Sequence, residues 1–190
     1  MMSGVTRILT LSLCLAMLAI VVVASPAWAA REAYLTVQGT QQGVIQGDST
    51  AKVAPNAIVV QAIGLGLSVQ TVTLPGGGST AGRTLVEPLK IAKFPDKASP
   101  KLLLAALTGE ILKVDLTWFG VDLPGGPVSK TFSITLEGAI ITGIETAGAT
   151  TVVNGVTEEV SFTFNKITFR DERVSPAITT CWDLVQNKKC

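Results

Sequence analysis

The sequence predicts a mainly β protein: a two-sheet β-barrel or sandwich of about seven or eight strands with one short α-helix. Three observations carry this. Apolar and polar residues alternate with period two in segment after segment between Ala33 and Phe169. Clusters rich in Gly and Pro separate those segments at the spacing of a sandwich or barrel. Beyond residue 30, start and stop signals for a helix coincide only in Phe94 to Gly109.

The helix is the organising element. Ser99 can cap it by accepting an orphan backbone N–H, Pro100 then falls where its missing N–H is harmless, and Gly109 can take the left-handed stop after Thr108. Leu102 to Leu107 is apolar on every face, so the helix is expected to be buried as a plug over one end of the β-structure, with Leu103 and Leu104 among the packed side chains.

The first 29 residues read as an export signal. Arg7 supplies a positive start, Ile8 to Ala24 is a nearly unbroken apolar run, and Ala27 and Ala29 place small residues where a signal peptidase reads them. Cleavage is expected after Ala29. A membrane anchor fits less well, because the run is short for a span and no positive stop-transfer cluster follows. Cys14 raises the question of a lipoprotein, but Leu13 fills a position that wants a small residue and the apolar run continues past it. The expected location is periplasmic or secreted, with no stable membrane span after cleavage.

The remaining chain of 30–190 divides into a β-domain, 30–170, and a C-terminal extension, 171–190. Ala33 to Gly39 places Leu35 and Val37 against Thr36 and Gln38, as a half-buried strand does. After a loop from Gly39 to Ser49, Ala57 to Ile63 is a β-branched run suited to a more fully buried strand, interrupted at Gly64 and Gly66. Leu65 to Leu74 continues extended, Pro75 to Ser79 reads as a flexible loop, and Leu85 to Ile91 is a further strand. The glycines at 76–78 are no phosphate cradle, since neither Lys-Ser/Thr nor a helix follows them.

Past the helix, Ile111 to Phe119 sets Leu112, Val114, Leu116 and Trp118 against Lys113, Asp115 and Thr117, and Leu123 to Pro127 turns the chain. Val128 to Thr146 places Phe132, Ile134, Leu136 and Ile140 on one face and is long enough to bend at Gly138 or Gly143 and pass between sheets. Val160, Phe162 and Phe164 open the last strand. Ile167 and Phe169 are out of phase with them, which predicts a bulge near Asn165-Lys166. Asp171 to Cys190 is polar and lacks strand periodicity, so it reads as a tail pinned by Trp182 and Leu184.

Composition limits the function. The 190 residues are 47% hydrophobic and 15% charged, enough for one sizeable core. Fifteen Lys and Arg stand against fourteen Asp and Glu, and loss of Arg7 with the leader balances them. That balance argues against nucleic acid as a partner, which requires a basic excess. The chain has no His, which removes the commonest general base and metal ligand at neutral pH. There is no nucleophile elbow, and the adjacent carboxylates of Glu158 and Glu159 should point to opposite faces of a strand. No catalytic residue, metal ligand or cofactor site is assigned. In an oxidising compartment Cys181 and Cys190, with eight residues between them, are expected to form a disulfide; a metal site is disfavoured because two Cys without His or CxxC make a poor ligand set.

From Lys90 to Leu116 the chain resembles the haemolysin-coregulated protein (Hcp) family of type VI secretion tube proteins. The likeness rests on Asp96-Lys97-Ala98-Ser99-Pro100-Lys101-Leu102 followed by Thr108-Gly109 and an alternating strand. It extends to Tyr34-Leu35-Thr36-Val37-Gln38-Gly39, Gly47-Asp48-Ser49-Thr50, Leu136 to Thr146, Glu158 to Phe162 and Lys166-Ile167. The resemblance covers residues 33–170. It implies a two-sheet barrel with a helix at its side, a homo-oligomer of six-membered rings stacked into a hollow tube, and secretion components or effectors as partners. The leader and the segment after Arg170 depart from the family pattern. The leading functional reading is therefore an exported Hcp-like structural or interaction protein, a ring-forming tube or effector-carrier homologue. The alternative is a secreted or periplasmic β-barrel binding module outside any type VI apparatus.

Overall fold

A computed structural model describes residues 32–121, 126–148 and 155–190, apart from the side chain of Arg83. The expected leader, its cleavage point after Ala29, Cys14 and most of the turn at 123–127 lie outside the described residues.

The described chain forms, in order, β1 (Glu32–Gly39), β2 (Gly43–Ile45), β3 (Ile58–Val60), β4 (Ala62–Gly64), β5 (Leu67–Leu74), β6 (Gly78–Val86), β7 (Leu89–Lys93), the helix α1 (Ser99–Thr108), β8 (Leu112–Val121), β9 (Val128–Gly148), β10 (Val156–Thr163), β11 (Lys166–Asp171), β12 (Ile178–Asp183) and β13 (Lys188–Lys189). The architecture is mainly β with one short helix, as expected, but it is a sandwich and not a closed barrel. Its strands outnumber the expected seven or eight because several runs break into short pieces.

Strand β9 joins the two layers. Its first part pairs antiparallel with β8 on one side and β11 on the other, from Val128 to Ala139. Its second part, from Ile140 onward, pairs with β10 in the other layer. Gly138 makes the bend: its φ of 61° lies in the left-handed region, and a Cβ there would press on the side chain of Asn165. The bend shifts the strand's phase by one residue, so Ala139 and Ile141 are buried and Ile140 is exposed, contrary to the simple alternation. On the opposite side β3 pairs with β1, and Gln61 leads directly into β4, which pairs with β7.

Between the layers lies one apolar core. Leu35, Val37, Ile58, Leu89, Ile91, Leu112, Val114, Leu116, Leu136, Val160 and Phe162 are all shielded from solvent. Burial of this apolar surface is the main favourable term in folding. Of the residues predicted to face inward, Leu35 and Val37 of β1 and Leu112, Val114 and Leu116 of β8 are among them, while Trp118 is only partly buried against the core. Ala57 to Ile63 alternates instead of being buried throughout, with Val59 exposed between Ile58 and Val60.

Three further expectations are corrected. Leu85 to Ile91 is not one strand: Glu87 and Pro88 separate β6 from β7, consistent with proline's inability to donate to a ladder. The loop at Pro75 to Ser79 is the tight turn of a β5–β6 hairpin, with Gly76 and Gly77 at positive φ. No bulge lies at Asn165-Lys166; the chain leaves β10 there and starts β11 on the other part of β9, and the register shift falls at Ser161/Phe162.

The helix begins and ends where expected, but Ser99 is not its cap. The N-cap residue is Ala98, without a side-chain capping bond, and the Ser99 hydroxyl is occupied elsewhere. Gly109 does take the left-handed stop, at φ 61°, and its N–H reaches the Ala105 and Ala106 carbonyls. Only Leu102 and Ala105 of the helix are buried; Leu103 and Leu104 are each about half exposed and Leu107 is 77% exposed. The helix therefore lies against the sandwich with its apolar outer face in solvent.

The last segment also departs from expectation. Ile178 to Asp183 pairs residue for residue with β11 and extends the sheet beyond β9, and β13 folds back on it.

Candidate functional site

Four local arrangements position the surfaces available for function. The first holds the helix. Lys93, on β7, is fully buried, and its Nζ lies 2.8 Å from Asp96 Oδ1, 2.9 Å from Glu158 Oε2 and 2.9 Å from Ser99 Oγ. Ser99 also donates to Glu158 at 2.6 Å and accepts from the Asp96 N–H. A buried charge requires partners on every side, and this serine supplies one to both the cation and the anion. The neighbouring Glu159 points outward and pairs with Lys90 at 2.8 Å, so the two adjacent carboxylates do occupy opposite faces.

The second arrangement holds the loop after β1. The Glu110 carboxylate is buried and accepts from the backbone N–H groups of Gln41 and Gln42 and from the Gln42 side chain. These donors hold it below the usual carboxylate range, the Gln42 N–H contributing most. Gly39 is required beside it, because a Cβ would collide with the carboxylate.

The third is the pair of elements that project from the sandwich. The β5–β6 hairpin is a separate two-stranded sheet. Leu67, Val69, Val72 and Leu74 on β5 and Leu85 on β6 are exposed. A cleft of about 900 Å³ lies between the hairpin and β11–β12, lined by Leu67, Val69, Ile167, Trp182 and Leu184 among others. Cys181 and Cys190 are joined in a disulfide that closes the β12–β13 turn, with Cα atoms 5.4 Å apart. At the end of β11, the Arg173 side chain and N–H hold Asp171 down to about 2.

The fourth is the end of the sandwich remote from the helix. The helix lies against the end marked by Gly39, Leu112 and Ala139; pairing along β1, β8 and β9 puts Ala33, Trp118 and Phe132 at the other. Aromatic rings collect there: Trp118 on Phe132 at 5.3 Å, Phe132 on Phe169 at 6.0 Å, and Tyr34 edge-on to Phe119 at 5.9 Å. The Tyr34 hydroxyl donates to Glu32, and burial together with that carboxylate pushes its pKa up to about 12. A cavity of about 1200 Å³ opens at this end.

Among the described residues no group of three or more His, Cys, Asp or Glu is placed to hold a metal, and no helix is long and apolar enough to cross a membrane. The sequence reading missed the Lys93–Glu158 pair, although a Lys and a Glu at inward phase on two strands were its signal. It also missed β12.

These features define a β-sandwich protein that presents projecting edges and apolar surfaces. The sequence pattern of the family described as "Type VI secretion system effector, Hcp" matches residues 34–170. The chain belongs to that Hcp family. A relative from Pseudomonas aeruginosa named "Major exported protein" is 31% identical, over 75% of this chain and 90% of its own length. Among solved structures, the secreted protein Hcp3 of Pseudomonas aeruginosa is 27% identical with a TM-score of 0.59, over 81% of this chain and 98% of that one. An Hcp1 protein of Escherichia coli EAEC 042 shares the fold with a TM-score of 0.70 at 21% identity, over 82% of this chain and 99% of that one. The segment after Arg170, which carries β12, β13 and the disulfide, lies beyond the matched residues.

Proposed function

We propose that this chain is an exported, non-enzymatic structural protein whose leader is removed after Ala29 and whose mature form assembles with copies of itself into rings of the Hcp type. The rings would serve as a tube segment or effector carrier, with secretion components or effectors as partners. The observation that carries this reading is the β5–β6 hairpin. An isolated two-stranded hairpin is marginal in water, yet its distal half bears Val72 and Leu74, each about half exposed. The outer helix face adds Leu103, Leu104 and Leu107. Surfaces of this kind are covered in assemblies. A relative named as a major exported protein supports export.

Size-exclusion chromatography with light scattering, on protein purified after export, tests assembly: rings give a multiple of the chain mass, and a strict monomer at high concentration rejects them. Intact mass of the same sample tests the leader, since a mass that retains residues 1–29 rejects cleavage.

A further inference from the structure

Beyond the filled core, the β5–β6 hairpin and the β11–β12 sheet face each other across open space. Ile167 and Phe169 of β11 pair with Trp182 and Thr180 of β12, so all four share one face of the sheet, the face on which Leu136 and Ile134 of β9 are buried. Across the gap, Leu67 and Val69 of β5 pair with Val86 and Thr84 of β6 and also share a face. Both sets line the cleft of about 900 Å³. Apolar walls that meet in a protein interior are normally closed by their own side chains. Here Leu67 is 66% and Trp182 41% exposed, so the gap is unfilled. Among the described side chains no Asp, Glu, Lys or Arg lines it, and its polar positions are Thr84, Thr180 and Asn187.

One cation reaches the mouth from the β12–β13 turn. Lys189 pairs with Trp182, and directly paired residues carry their side chains on the same face with Cβ atoms about 5 Å apart. Lys189 is exposed and, among the described residues, has no ion-pair partner. The adjacent pair, Asp183 and Lys188, falls on the opposite face. The Glu87 carboxylate lies against Gly66 and does not line the cleft.

We infer that this cleft binds a single-chain anionic amphiphile, a long-chain carboxylate whose tail lies between Leu67 and Trp182 and whose head meets Lys189 at the mouth. The volume is that of a ligand pocket, with apolar walls and a few polar groups to orient the guest. Burying the tail removes water from both walls and supplies most of the affinity. The head remains partly in solvent, so its attraction to Lys189 is modest and sets preference. The Cys181–Cys190 bond closes the turn that carries Lys189 and holds that cation beside Trp182. Val72 and Leu74, which carry the assembly reading, do not line the cleft, so the inference stands apart from ring formation.

The test is calorimetric titration of the purified exported protein with octanoate, decanoate and dodecanoate below their micelle concentrations, with decyltrimethylammonium as the cation of matched tail. Saturable binding of the carboxylates is expected, with affinity rising about two- to fourfold per added methylene while the tail still finds apolar wall. Decyltrimethylammonium should bind about threefold or more weakly than decanoate. Lys189→Gln should weaken decanoate by about two- to fivefold without weakening the cation. Leu67→Asp, at an exposed position of the wall, should weaken decanoate by at least about tenfold and leave the unfolding midpoint unchanged, because a carboxylate would then stand where the tail lies. Val72→Lys with Leu74→Lys should bind decanoate within about twofold of the parent, whether or not that variant assembles. The absence of saturable binding, an affinity indifferent to tail length, equal binding of the matched cation, or a Leu67→Asp variant that binds like the parent would overturn the inference.

Discussion

Lys93 Nζ and Glu158 Oε2 lie 2.9 Å apart at directly opposed positions of β7 and β10, with the lysine wholly buried. Asp96 and Ser99 complete the shell, so the cluster ties the second layer to the start of the helix. Removing the cation strands two carboxylates in a site that water scarcely reaches. Lys93→Met is expected to destabilise the fold by about 3–5 kcal/mol, while Lys93→Met combined with Glu158→Leu should cost less than the two single changes together. Urea unfolding of the four proteins in that cycle checks this; additive losses would show that the pair is not coupled.

The helix divides by face. Leu102→Ala should cost about 2–5 kcal/mol because its side chain is fully buried in the core. Leu103→Ala and Leu104→Ala, each about half exposed, should cost under about 1 kcal/mol. If the outer face is an assembly surface, those two changes will instead shift the light-scattering mass. A loss at Leu104 equal to that at Leu102 would place the outer face in the core.

Much of this fold was readable from period and punctuation. Leu112, Val114 and Leu116 announced one face of β8, and the length of the run through Gly138 announced a strand shared between layers. What failed did so for physical reasons. Ser99 looked like a cap because the motif reads locally, whereas its hydroxyl is captured by Lys93 and Glu158, the latter 59 positions away. Leu103 and Leu104 looked buried because an apolar stripe cannot say whether its cover is the same chain. β12 escaped because Ile178-Thr179-Thr180-Cys181-Trp182 is exposed on most of its positions, so no alternation is imposed. The aromatic cluster of Trp118, Phe132 and Phe169 was invisible because its rings come from three strands, β8, β9 and β11.

Glu110 predicts a pH effect. Its carboxylate is held below its ordinary pKa in the folded state by the Gln41 and Gln42 donors. A depressed carboxylate contributes stability that is present above the unfolded value, about 4.3, and is lost as pH falls through the lower folded value. Stability should therefore decline on acidification below about pH 4.3. In Glu110→Gln the part of that decline due to this group should vanish. The variant should also lose about 1–3 kcal/mol at neutral pH, because an amide cannot accept from all three donors. Chemical unfolding at several pH values compares the two; identical pH profiles would remove Glu110 from the account.

The hairpin carries the assembly prediction. Val72→Lys with Leu74→Lys places two charges on its distal, exposed strand and should leave the unfolding midpoint of the sandwich nearly unchanged, since both side chains already face solvent. Assembly should fall, because the same positions would have to be desolvated against a second copy. Light scattering over a concentration series reads the outcome, and unchanged assembly in the double variant would move the contact away from the hairpin.

The disulfide predicts which part of the tail is independently held. β12 is fixed to β11 by antiparallel pairing from Lys166–Asp183 to Asp171–Ile178, and Leu184 packs against the core, so its place does not depend on the Cys181–Cys190 bond. β13 has only Trp182–Lys189 and Asp183–Lys188 as paired residues and needs the covalent closure. In the chain-entropy account a loop of this size contributes about 2–3 kcal/mol. Cys181→Ser with Cys190→Ser should therefore accelerate amide exchange from Gln186 to Cys190, leave the β11–β12 amides protected, and lower global stability by no more than that amount. Non-reducing peptide mapping of exported protein should find the 181–190 pair cross-linked. Exchange that accelerates equally across Thr179 to Asp183 would mean that the bond, and not the ladder, holds β12 in the sheet.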